Sequence, residues 1–453
     1  MMRHIAVIDI GKTNAKLAVV RADDLAEVSV VTRPNRVLQG PPYPHFDVEG
    51  HWAFLIDALR DAHDAFGIDA ISVTTHGACG VLLQADGRLA APVLDYEHTG
   101  PDDLAAEYNA LRPDFALTGS PRLPMGLNLG AQLHWQFTTD PGLLARTAAF
   151  VTYPQYWGFR LTGQLATDLT SLGCHTDLWE PGQAHFSTLV ERLGLTGRIA
   201  PARRADAVLG TVTADVAHAT GLDRSTPVYC GIHDSNASLL PHLLTRTAPF
   251  SVVSTGTWVI CMAIGGEPVT LDPAKDTLIN INALGTPVPS ARFMGGREYD
   301  LVMAGAINTP TEADIATVLR DRLMLLPAVV PDSGPFQGRT AQWRPAEPAT
   351  GLGHRSAALA FYLAMVTDHA LSAIGHRGLV VVEGPFARNL PYLQMLSAAL
   401  GCPVVPSEGA TGTSRGAALL ASGAGALHLP NAPPVTVPTG FADYAARWRI
   451  ALG

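Results

Sequence analysis

Residues 4–20 read HIAVIDIGKTNAKLAVV, and residues 249–264 read PFSVVSTGTWVICMAI. Each stretch has two apolar, largely β-branched runs around a short polar segment with one glycine, which is the pattern of a β-hairpin. A turn of this kind presents backbone N–H groups and hydroxyls to an anion, and glycine lets the main chain come close. The repetition at the start of each half of the chain indicates two related lobes that grip one polyphosphate, as a nucleotide-using enzyme would.

Length and composition are those of a globular enzyme. The chain has 453 residues, enough for two or three domains, with 47% hydrophobic and 16% charged residues. A formal net charge of −9 argues against a nucleic-acid partner, because phosphate backbones require a basic face. No run of residues is long and apolar enough to predict a membrane span, and the N-terminus does not have the pattern of a signal peptide.

The cysteines predict neither a disulfide framework nor a zinc site. There are five, they are scattered, and no pair is spaced as Cys-x-x-Cys. Most are therefore expected as small core residues, and the cytoplasm is the expected compartment.

Alternating patterns along the chain predict a mixed α/β fold with a domain boundary between residues 245 and 246. In the first half they predict a helix from about residue 52 to 66, a buried strand over 70–74 and a hairpin with Asp86-Gly87 as its turn. In the second half they predict an amphipathic helix over 354–374, a buried strand over 378–382 and a helix over 392–400.

Asp9 stands at the end of the first buried strand. As an isolated residue it could equally be an ordinary turn former. Followed by Gly11, Thr13 and Lys16, it indicates a magnesium and phosphate locus, since Mg²⁺ needs only one or two carboxylates besides phosphate oxygens and water. The spacing does not match a P-loop, and no P-loop occurs elsewhere.

Asp234 lies in Gly231-Ile232-His233-Asp234-Ser235, near a strand end and a helix start. It could be a helix N-cap, or a general base that takes the proton of a substrate hydroxyl in phosphoryl transfer. His233 has equal claims as a sugar hydrogen-bond partner and as a core histidine.

Four polar side chains of the first half fall at strand ends or loop starts. Each alone is more often a structural group than a ligand contact, but together they supply the donors, acceptors and ring face that a polyol requires. They are His76, Asp95, Tyr96 and Tyr153, with Gly77 in the same turn as His76. Trp157 is expected in the core.

Two loops of the second half follow a strand and precede a helix: the one at Gly384, and Gly409 to Thr413. A helix N-terminus with small residues admits a purine or a phosphate, although ordinary strand-to-helix turns look much the same.

These motifs, in this order and spacing, resemble the FGGY family of carbohydrate kinases from Ile5 to about Ala421. The stretches concerned are Asp9 to Lys16, Tyr156 to Gly163, Cys230 to Asp234, Ser254 to Trp258 and Glu383 to Asn389. The resemblance implies two actin-like (ribonuclease-H-like) ATPase domains flanking a central cleft. Residues 1–245 would bind the sugar and hold the catalytic base, and residues 246–453 would bind the nucleotide.

The resemblance also implies roles for single residues. Asp234 matches the catalytic base, and Asp9 the carboxylate near Mg²⁺. Sugar contacts are expected from His76, Gly77, Asp95, Tyr96, Tyr153, His233 and Asp234. ATP contacts are expected from Gly11, Lys12, Thr13, Asn14, Lys16, Thr255, Gly256, Thr257, Gly384, Pro385 and Asn389.

The residues Val73 to Gly77, the His233-Asp234 pair and the second hairpin look most like rhamnulose and fuculose kinases. The chain departs from the family in three places. Pro385 and Phe386 occupy a loop that is usually rich in glycine, and Gln132 stands where the family has a lysine. The segment from Phe293 to Tyr299 matches no family motif, and could be a lobe-closing loop or a surface turn.

The sequence thus predicts an ATP- and Mg²⁺-dependent kinase that phosphorylates a hydroxyl of a ketose, such as the deoxyketohexoses L-rhamnulose or L-fuculose. Alternatives are a kinase of ribulose, xylulose or a glycerol-like polyol, a non-sugar actin-like ATPase, and an inactive sugar sensor. Sugar and ATP are the expected partners, and nucleic acid and membrane are not. A homodimer is left open.

Overall fold

Strands and helices alternate along most of the chain in the computed structural model, which describes residues 2–407, 412–423 and 432–453. The strands are β1 His4–Ile10, β2 Asn14–Arg21, β3 Glu27–Pro34, β4 Val37–Leu38, β5 His45–Phe46, β6 Ala70–Thr75, β7 Gly80–Leu83, β8 Ala149–Thr152, β9 Thr167–Asp168, β10 Trp179–Glu180, β11 His185–Phe186, β12 Ala202–Arg203, β13 Val208–Thr211, β14 Pro227–Tyr229, β15 Ile232–His233, β16 Phe250–Thr255, β17 Val259–Ile264, β18 Thr277–Ile281, β19 Pro287–Phe293, β20 Met324–Leu326, β21 Gln342–Arg344, β22 Leu379–Glu383 and β23 Val404–Pro406.

The helices are α1 Val48–Phe66, α2 Ala105–Leu111, α3 Phe115–Thr118, α4 Leu129–Thr139, α5 Leu143–Arg146, α6 Tyr153–Thr162, α7 Leu169–Leu172, α8 Leu189–Arg192, α9 Ala214–Thr220, α10 Asp234–Thr245, α11 Gly295–Met303, α12 Glu312–Asp321, α13 Gly353–Ala373, α14 Leu390–Leu400, α15 Thr413–Ser422 and α16 Phe441–Leu452. Short 3₁₀ turns cover Gly100–Leu104, Pro273–Lys275 and Pro385–Arg388. The mixed α/β class predicted from the sequence is confirmed.

The described residues fall into two compact units. One holds residues 2–245, 279–287 and 412–423, and the other holds 246–278, 288–407 and 432–453. Two short segments from the second half of the chain thus pack with the first unit. Within the described ranges, no helix combines the length and apolarity required to cross a bilayer.

The sheet of the first unit is built on the N-terminal hairpin. Its strand order is β13-β14-β6-β1-β2-β3, with β15 also paired to β6. β1 is antiparallel to β2 and parallel to β6. β1 pairs on both edges and is buried over Ile5–Ile10, which explains why its sequence is a continuous apolar run rather than an alternation.

The second unit repeats this arrangement. Its sheet has the order β18-β19-β17-β16-β22-β23, in which β16 is antiparallel to β17 and parallel to β22. Both predicted hairpins and both predicted buried strands after them are therefore confirmed.

Helix α13 corrects one expectation. The pattern predicted an amphipathic helix, but 16 of its 21 residues are buried. It lies against β17 and between helices α12 and α14. Its alanines are small enough to let these neighbours approach, so a helix that is apolar on most sides is buried on most sides.

The short hairpin predicted around Asp86-Gly87 is confirmed, because the Gln84 N–H donates to the Arg88 carbonyl oxygen at 2.8 Å and the Ala90 N–H to that of Leu82 at 2.7 Å, with Leu83 bridged to Leu89. The N–H of Gly87 donates to the carbonyl oxygen of Gln84 at 3.0 Å. β7 also forms a longer antiparallel pair with β8, which the sequence did not predict. A partner 66 residues away cannot be inferred from a local turn signal.

Candidate functional site

Three parallel strands of the first unit end at the same edge of its sheet. In their register, Thr74 of β6 is opposite Asp9 of β1 on one side and Ile232 of β15 on the other. Adjacent strands are about 4.8 Å apart, so the backbones of Asp9 and Ile232 are about 10 Å apart. Asp234 follows β15 directly, as the first residue of α10. Asp9 and Asp234 therefore lie at one sheet edge, on opposite sides of β6.

The Asp9 carboxylate is largely buried and has two partners. Its Oδ2 accepts a hydrogen bond from the Thr413 hydroxyl at 2.5 Å and lies 3.2 Å from Nζ of Lys16. Neither partner fixes both oxygens of the group. A single carboxylate of this kind suits Mg²⁺, which keeps several waters and takes its other ligands from phosphates. The described residues contain no group of three His, Cys, Asp or Glu that could hold a metal by themselves.

The tip of the first hairpin is held by backbone bonds that the sequence did not reveal. The N–H of Gly11 donates to the carbonyl oxygen of Asn14 at 2.9 Å. Asn35 donates from its side chain to the Gly11 carbonyl and from its backbone to the Thr13 carbonyl, both at 2.8 Å. The Gly11 N–H therefore closes the turn, whereas the Thr13 and Asn14 side chains are exposed.

His76 and Tyr153 face each other across an aromatic cluster. Their ring centroids are 5.2 Å apart, and Tyr96 lies 5.4 Å from the His76 ring on another side. Within the described structure, Nε2 of His76 and the hydroxyl of Tyr153 are buried without a hydrogen-bond partner. Buried polar atoms normally have partners, so unpaired atoms side by side indicate a place for a polar ligand.

Burial lowers the pKa of His76 to about 4, so its ring is neutral at pH 7. Its Nδ1 lies 2.9 Å from the carbonyl oxygen of Gly77, which fixes the proton on Nδ1 and leaves Nε2 as an acceptor. His76 can therefore accept a hydrogen bond from a ligand hydroxyl.

His233 has the opposite charge state. Burial by itself would lower its pKa, but Cys174 and the Asp234 carboxylate raise it to about 9. Nε2 of His233 lies 3.3 Å from Oδ1 of Asp234 and 3.9 Å from Sγ of Cys174. His233 also packs against Gly77, where a Cβ would collide with the imidazole ring. The two histidines of the predicted sugar set thus lie together, one neutral and one protonated.

Asp95 belongs to a charged group with Lys12. The Lys12 ammonium pairs with Oδ1 of Asp95 and with Glu97 at 3.1 Å, and lies 4.6 Å from the centre of the Tyr96 ring. The family resemblance implied that Lys12 contacts ATP, but its ammonium lies among the residues of the predicted sugar set.

Sequence reasoning missed a buried pair that positions the residue before Asp234. The Thr170 hydroxyl accepts a hydrogen bond from the His233 N–H at 2.9 Å and donates to the carboxylate of Asp168, which is fully buried. Asp168 also caps helix α7. The Asp-x-Thr-Ser pattern of residues 168–171 indicates the helix cap. The hydrogen bond between Thr170 and His233 could not be inferred in this way, because the two residues are 63 positions apart.

Gln132, to which no role was given, supports the turn after β6. Its side-chain amide donates to the carbonyl oxygens of Ala78, at 2.6 Å, and of Gly126. A neutral amide makes these two backbone contacts without a charge to compensate. Trp157 is fully buried, as predicted.

The hairpin of the second unit is locked to the loop after β22. The Thr255 hydroxyl donates to the carbonyl oxygen of Glu383 and accepts from the Phe386 N–H at 3.1 Å. Gly384 has φ of +78°, and a Cβ there would collide with the Thr255 carbonyl oxygen. Gly384 is thus required by the close approach of two main chains, and the Thr255 hydroxyl is committed to holding the loop.

A cavity of about 960 Å³ adjoins this hairpin within the second unit. Its volume is at the upper end of the range for small-molecule sites. The cavity is lined by the hairpin tip, the start of α11, α12 with the residues before it, the 3₁₀ turn after Gly384, the start of α14 and the segment before α16. Its lining residues include Gly256, Thr257, Gly296, Tyr299, Asn308, Ile315, Pro385, Phe386, Asn389, Gln394 and Thr439.

Phe386 forms a wall of this cavity. Its ring is 6% exposed and lies 5.2 Å from the Tyr392 ring, so most of it packs into the core. Asn389 caps α14 through its side-chain oxygen, which accepts from the Tyr392 N–H at 3.2 Å. Of the predicted turn from Gly409 to Thr413, residues 409–411 lie outside the described residues.

The segment from Phe293 to Tyr299 is neither a lobe-closing loop nor a surface turn, and both expectations were wrong. It is the end of β19 followed by the first turns of α11. A Cβ on Gly296 would collide with the carbonyl oxygen of Gly256. The adjacent glycines therefore let a helix begin directly on the second hairpin.

Comparison with known proteins agrees with these features. Residues 4–241 match the model of the FGGY family of carbohydrate kinases, N-terminal domain, and residues 247–429 match carbohydrate kinase FGGY, C-terminal domain. The chain is 28% identical to an L-fuculokinase of Salmonella typhi over 273 residues, which is 58% of this chain and 57% of that protein. It thus spans little more than half the length of this curated relative.

Solved structures align over the whole chain. A carbohydrate kinase from Novosphingobium aromaticivorans has a TM-score of 0.90 and 35% identity, covering 100% of this chain and 98% of that one. A xylulose kinase from Rhodospirillum rubrum has a TM-score of 0.79 and 21% identity, covering 99% and 97%, which supports the fold alone. The expected pair of actin-like domains is confirmed, and the chain belongs to the FGGY family of carbohydrate kinases.

Proposed function

We propose that this protein transfers the γ-phosphoryl group of ATP to a hydroxyl of a ketose. The observation on which this rests is the edge of the first sheet, where Asp9 and Asp234 flank β6 beside the unpaired polar atoms of His76 and Tyr153. Unpaired polar atoms among aromatic rings suit a hydroxylated substrate. An actin-like ATPase that binds no sugar does not require such a site.

Asp234 is the proposed general base. It accepts the proton of the attacking hydroxyl while that oxygen forms a bond to the γ-phosphorus and the bond to the ADP oxygen breaks. The side chain is about 30% exposed, enough to meet a substrate, and His233 beside it orients the carboxylate. The Thr170 hydroxyl fixes the backbone at this point.

Each hairpin tip is assigned phosphate contacts of its own. In the first unit these are backbone groups and the Thr13 hydroxyl, with Asp9 to hold Mg²⁺, and in the second unit they are backbone groups and the Thr257 hydroxyl. The metal, when bound, supplies charge neutralisation on the phosphate oxygens. The nucleoside is assigned to the cavity that Thr257, Pro385 and Asn389 line or adjoin, whose size suits a purine nucleoside.

The sugar is assigned to His76, Gly77, Tyr96, Tyr153 and His233. A deoxyketohexose such as L-rhamnulose or L-fuculose has both hydroxyls and an apolar methyl end, which matches polar atoms set among rings. The similarity to an L-fuculokinase supports this choice. The similarity to an autoinducer-2 kinase of Escherichia coli, 24% identical over 305 residues, makes autoinducer-2 the second candidate substrate. A cytoplasmic location stays a prediction, and a homodimer stays open.

A coupled ADP-release assay tests the proposal. The panel is L-rhamnulose, L-fuculose, L- and D-ribulose, D-xylulose and glycerol. We expect the highest kcat/KM for a deoxyketohexose. Preference for another member would keep the kinase and overturn the deoxyketohexose, whereas ATP hydrolysis independent of every polyol would overturn the sugar kinase itself.

A further inference from the structure

Lys12 follows Gly11 at the tip of the first hairpin, yet its ammonium pairs with two carboxylates of a different loop. One is Asp95, whose side chain is 7% exposed, and the other is Glu97, 58% exposed. The Lys12 side chain itself is 25% exposed. The ammonium thus lies at the border between a buried and an open carboxylate, where a ligand can still reach it.

Aromatic rings surround the same ammonium. It lies 4.6 Å from the centre of the Tyr96 ring and 5.2 Å from that of Phe46. The His76 ring is 5.1 Å from Phe46 and 5.4 Å from Tyr96. The stem of Lys12 therefore crosses from the hairpin to the ring cluster that contains the unpaired Nε2 of His76.

We propose that Lys12, together with Asp95, binds adjacent hydroxyls of the sugar and so determines which polyol is accepted, rather than binding phosphate. This inference rests on the proposed function and names two of its substrate contacts. It changes the ligand assigned to Lys12 from the nucleotide to the sugar.

The hydrogen-bonding capacity of the pair supports this assignment. An ammonium has three N–H donors and a carboxylate has about four acceptor positions. Lys12 and the Glu97 N–H, at 3.3 Å, both use Oδ1 of Asp95. We therefore assign Oδ2 of Asp95 to accept from one sugar hydroxyl while the remaining Lys12 donor serves its neighbour. Such a donor beside an acceptor fits two adjacent hydroxyls.

Charge balance argues against phosphate as the partner of this ammonium. Its positive charge is already offset by two carboxylates within ion-pair distance. A phosphate brought to the same ammonium would meet those two negative charges as well. A neutral sugar meets no such repulsion.

The test replaces Lys12 by Met, which keeps the stem and removes the charge. KM for the sugar and KM for ATP are measured separately, and sugar binding without nucleotide is followed by isothermal titration. We expect the sugar KM to rise about 10- to 100-fold, the scale of a lost charged hydrogen bond, and the ATP KM to stay within about twofold. Lys275→Met, at an exposed lysine of the second unit, is the matched control.

A rise in the ATP KM with an unchanged sugar KM would overturn the inference, as would no change in either. Lys12→Arg serves as a second variant if Lys12→Met does not fold. It keeps the charge of the ion pair but offers a planar fork in place of a compact ammonium, so its sugar KM should rise too. Titration separates the two proposals: a wild type that binds no polyol overturns the proposed function, whereas equal binding by wild type and Lys12→Met overturns only this inference.

Discussion

The hairpins β1–β2 and β16–β17 share one backbone plan but differ in their side chains. Each is followed in its sheet by a parallel strand, in the orders β2-β1-β6 and β17-β16-β22. In each, the tip glycine donates its N–H back to the other arm, Gly11 to Asn14 and Gly256 to Trp258, both at 2.9 Å. The first tip has an aspartate and lysines, whereas Ser254 to Thr257 has no charge at all.

This difference indicates that the two hairpins have different roles. Near the first hairpin, charged groups contact one another and can act on a proton or a metal. The second hairpin is held by neutral contacts to the loop after β22 and adjoins a cavity. Changes at Asp9 and Asp234 should therefore lower kcat, and changes at the second hairpin should mainly raise the KM for ATP.

The largest effect is expected from Asp234→Asn. An amide cannot accept the hydroxyl proton, so kcat should fall roughly 10²- to 10⁴-fold while sugar affinity by isothermal titration is largely kept. Asp223→Asn, at an exposed aspartate of the same unit, is the control and should leave turnover unchanged. Near-normal turnover of Asp234→Asn would remove the base from this position.

Asp9→Asn should have the next largest effect. Losing the charge that we propose binds Mg²⁺ should lower kcat about 10²- to 10³-fold and raise the magnesium concentration needed for half-maximal rate. Rates measured over a magnesium series test this.

Thr257→Ala, at the uncharged tip of the second hairpin, should instead raise the ATP KM a few-fold. If both variants lost the same kcat, the comparison between the hairpins would fail.

Gly296→Ala should loosen the second hairpin. The added methyl collides with the Gly256 carbonyl oxygen, so the start of α11 must move. We expect about a tenfold higher ATP KM and a loss of about 1–3 kcal/mol in stability, with the sugar KM unchanged. Gly182→Ala is the matched control, because a Cβ there has open space. An unaltered ATP KM would show that α11 does not support this hairpin.

The smallest effect concerns Glu298 of α11, whose burial raises its pKa to about 7. Its Oε1 accepts from the Tyr362 hydroxyl at 3.0 Å and from the Val330 N–H at 3.1 Å. The folded protein holds this proton more tightly than the unfolded chain, so stability should fall as pH rises from about 4.5 to about 7. Glu298→Gln should melt at a higher temperature than wild type at pH 8, and the gap should narrow at pH 5. A gap independent of pH would contradict the assignment.

The sequence predicted the hairpins, the strands after them and the family, because these are encoded locally by periodicity and turn residues. It gave a polar set around Asp234 without the contacts within it. Thr170 and Lys12 show why. Thr170 meets His233 across 63 residues and Lys12 meets Asp95 across 83, and a single sequence contains no signal for such pairs.

By itself the sequence determined that the chain has two repeated halves, each with a glycine-centred hairpin. It also determined that Asp9 stands at the end of a strand and that Asp234 directly follows one. Only the tertiary structure decided which charges meet. It brought Lys12 to Asp95, gave His76 and His233 opposite charge states, and closed Gly384 and Gly296 against main-chain carbonyls. Local patterns fix backbone shape, whereas charge states and close approaches depend on neighbours that are distant in the chain and adjacent only after folding.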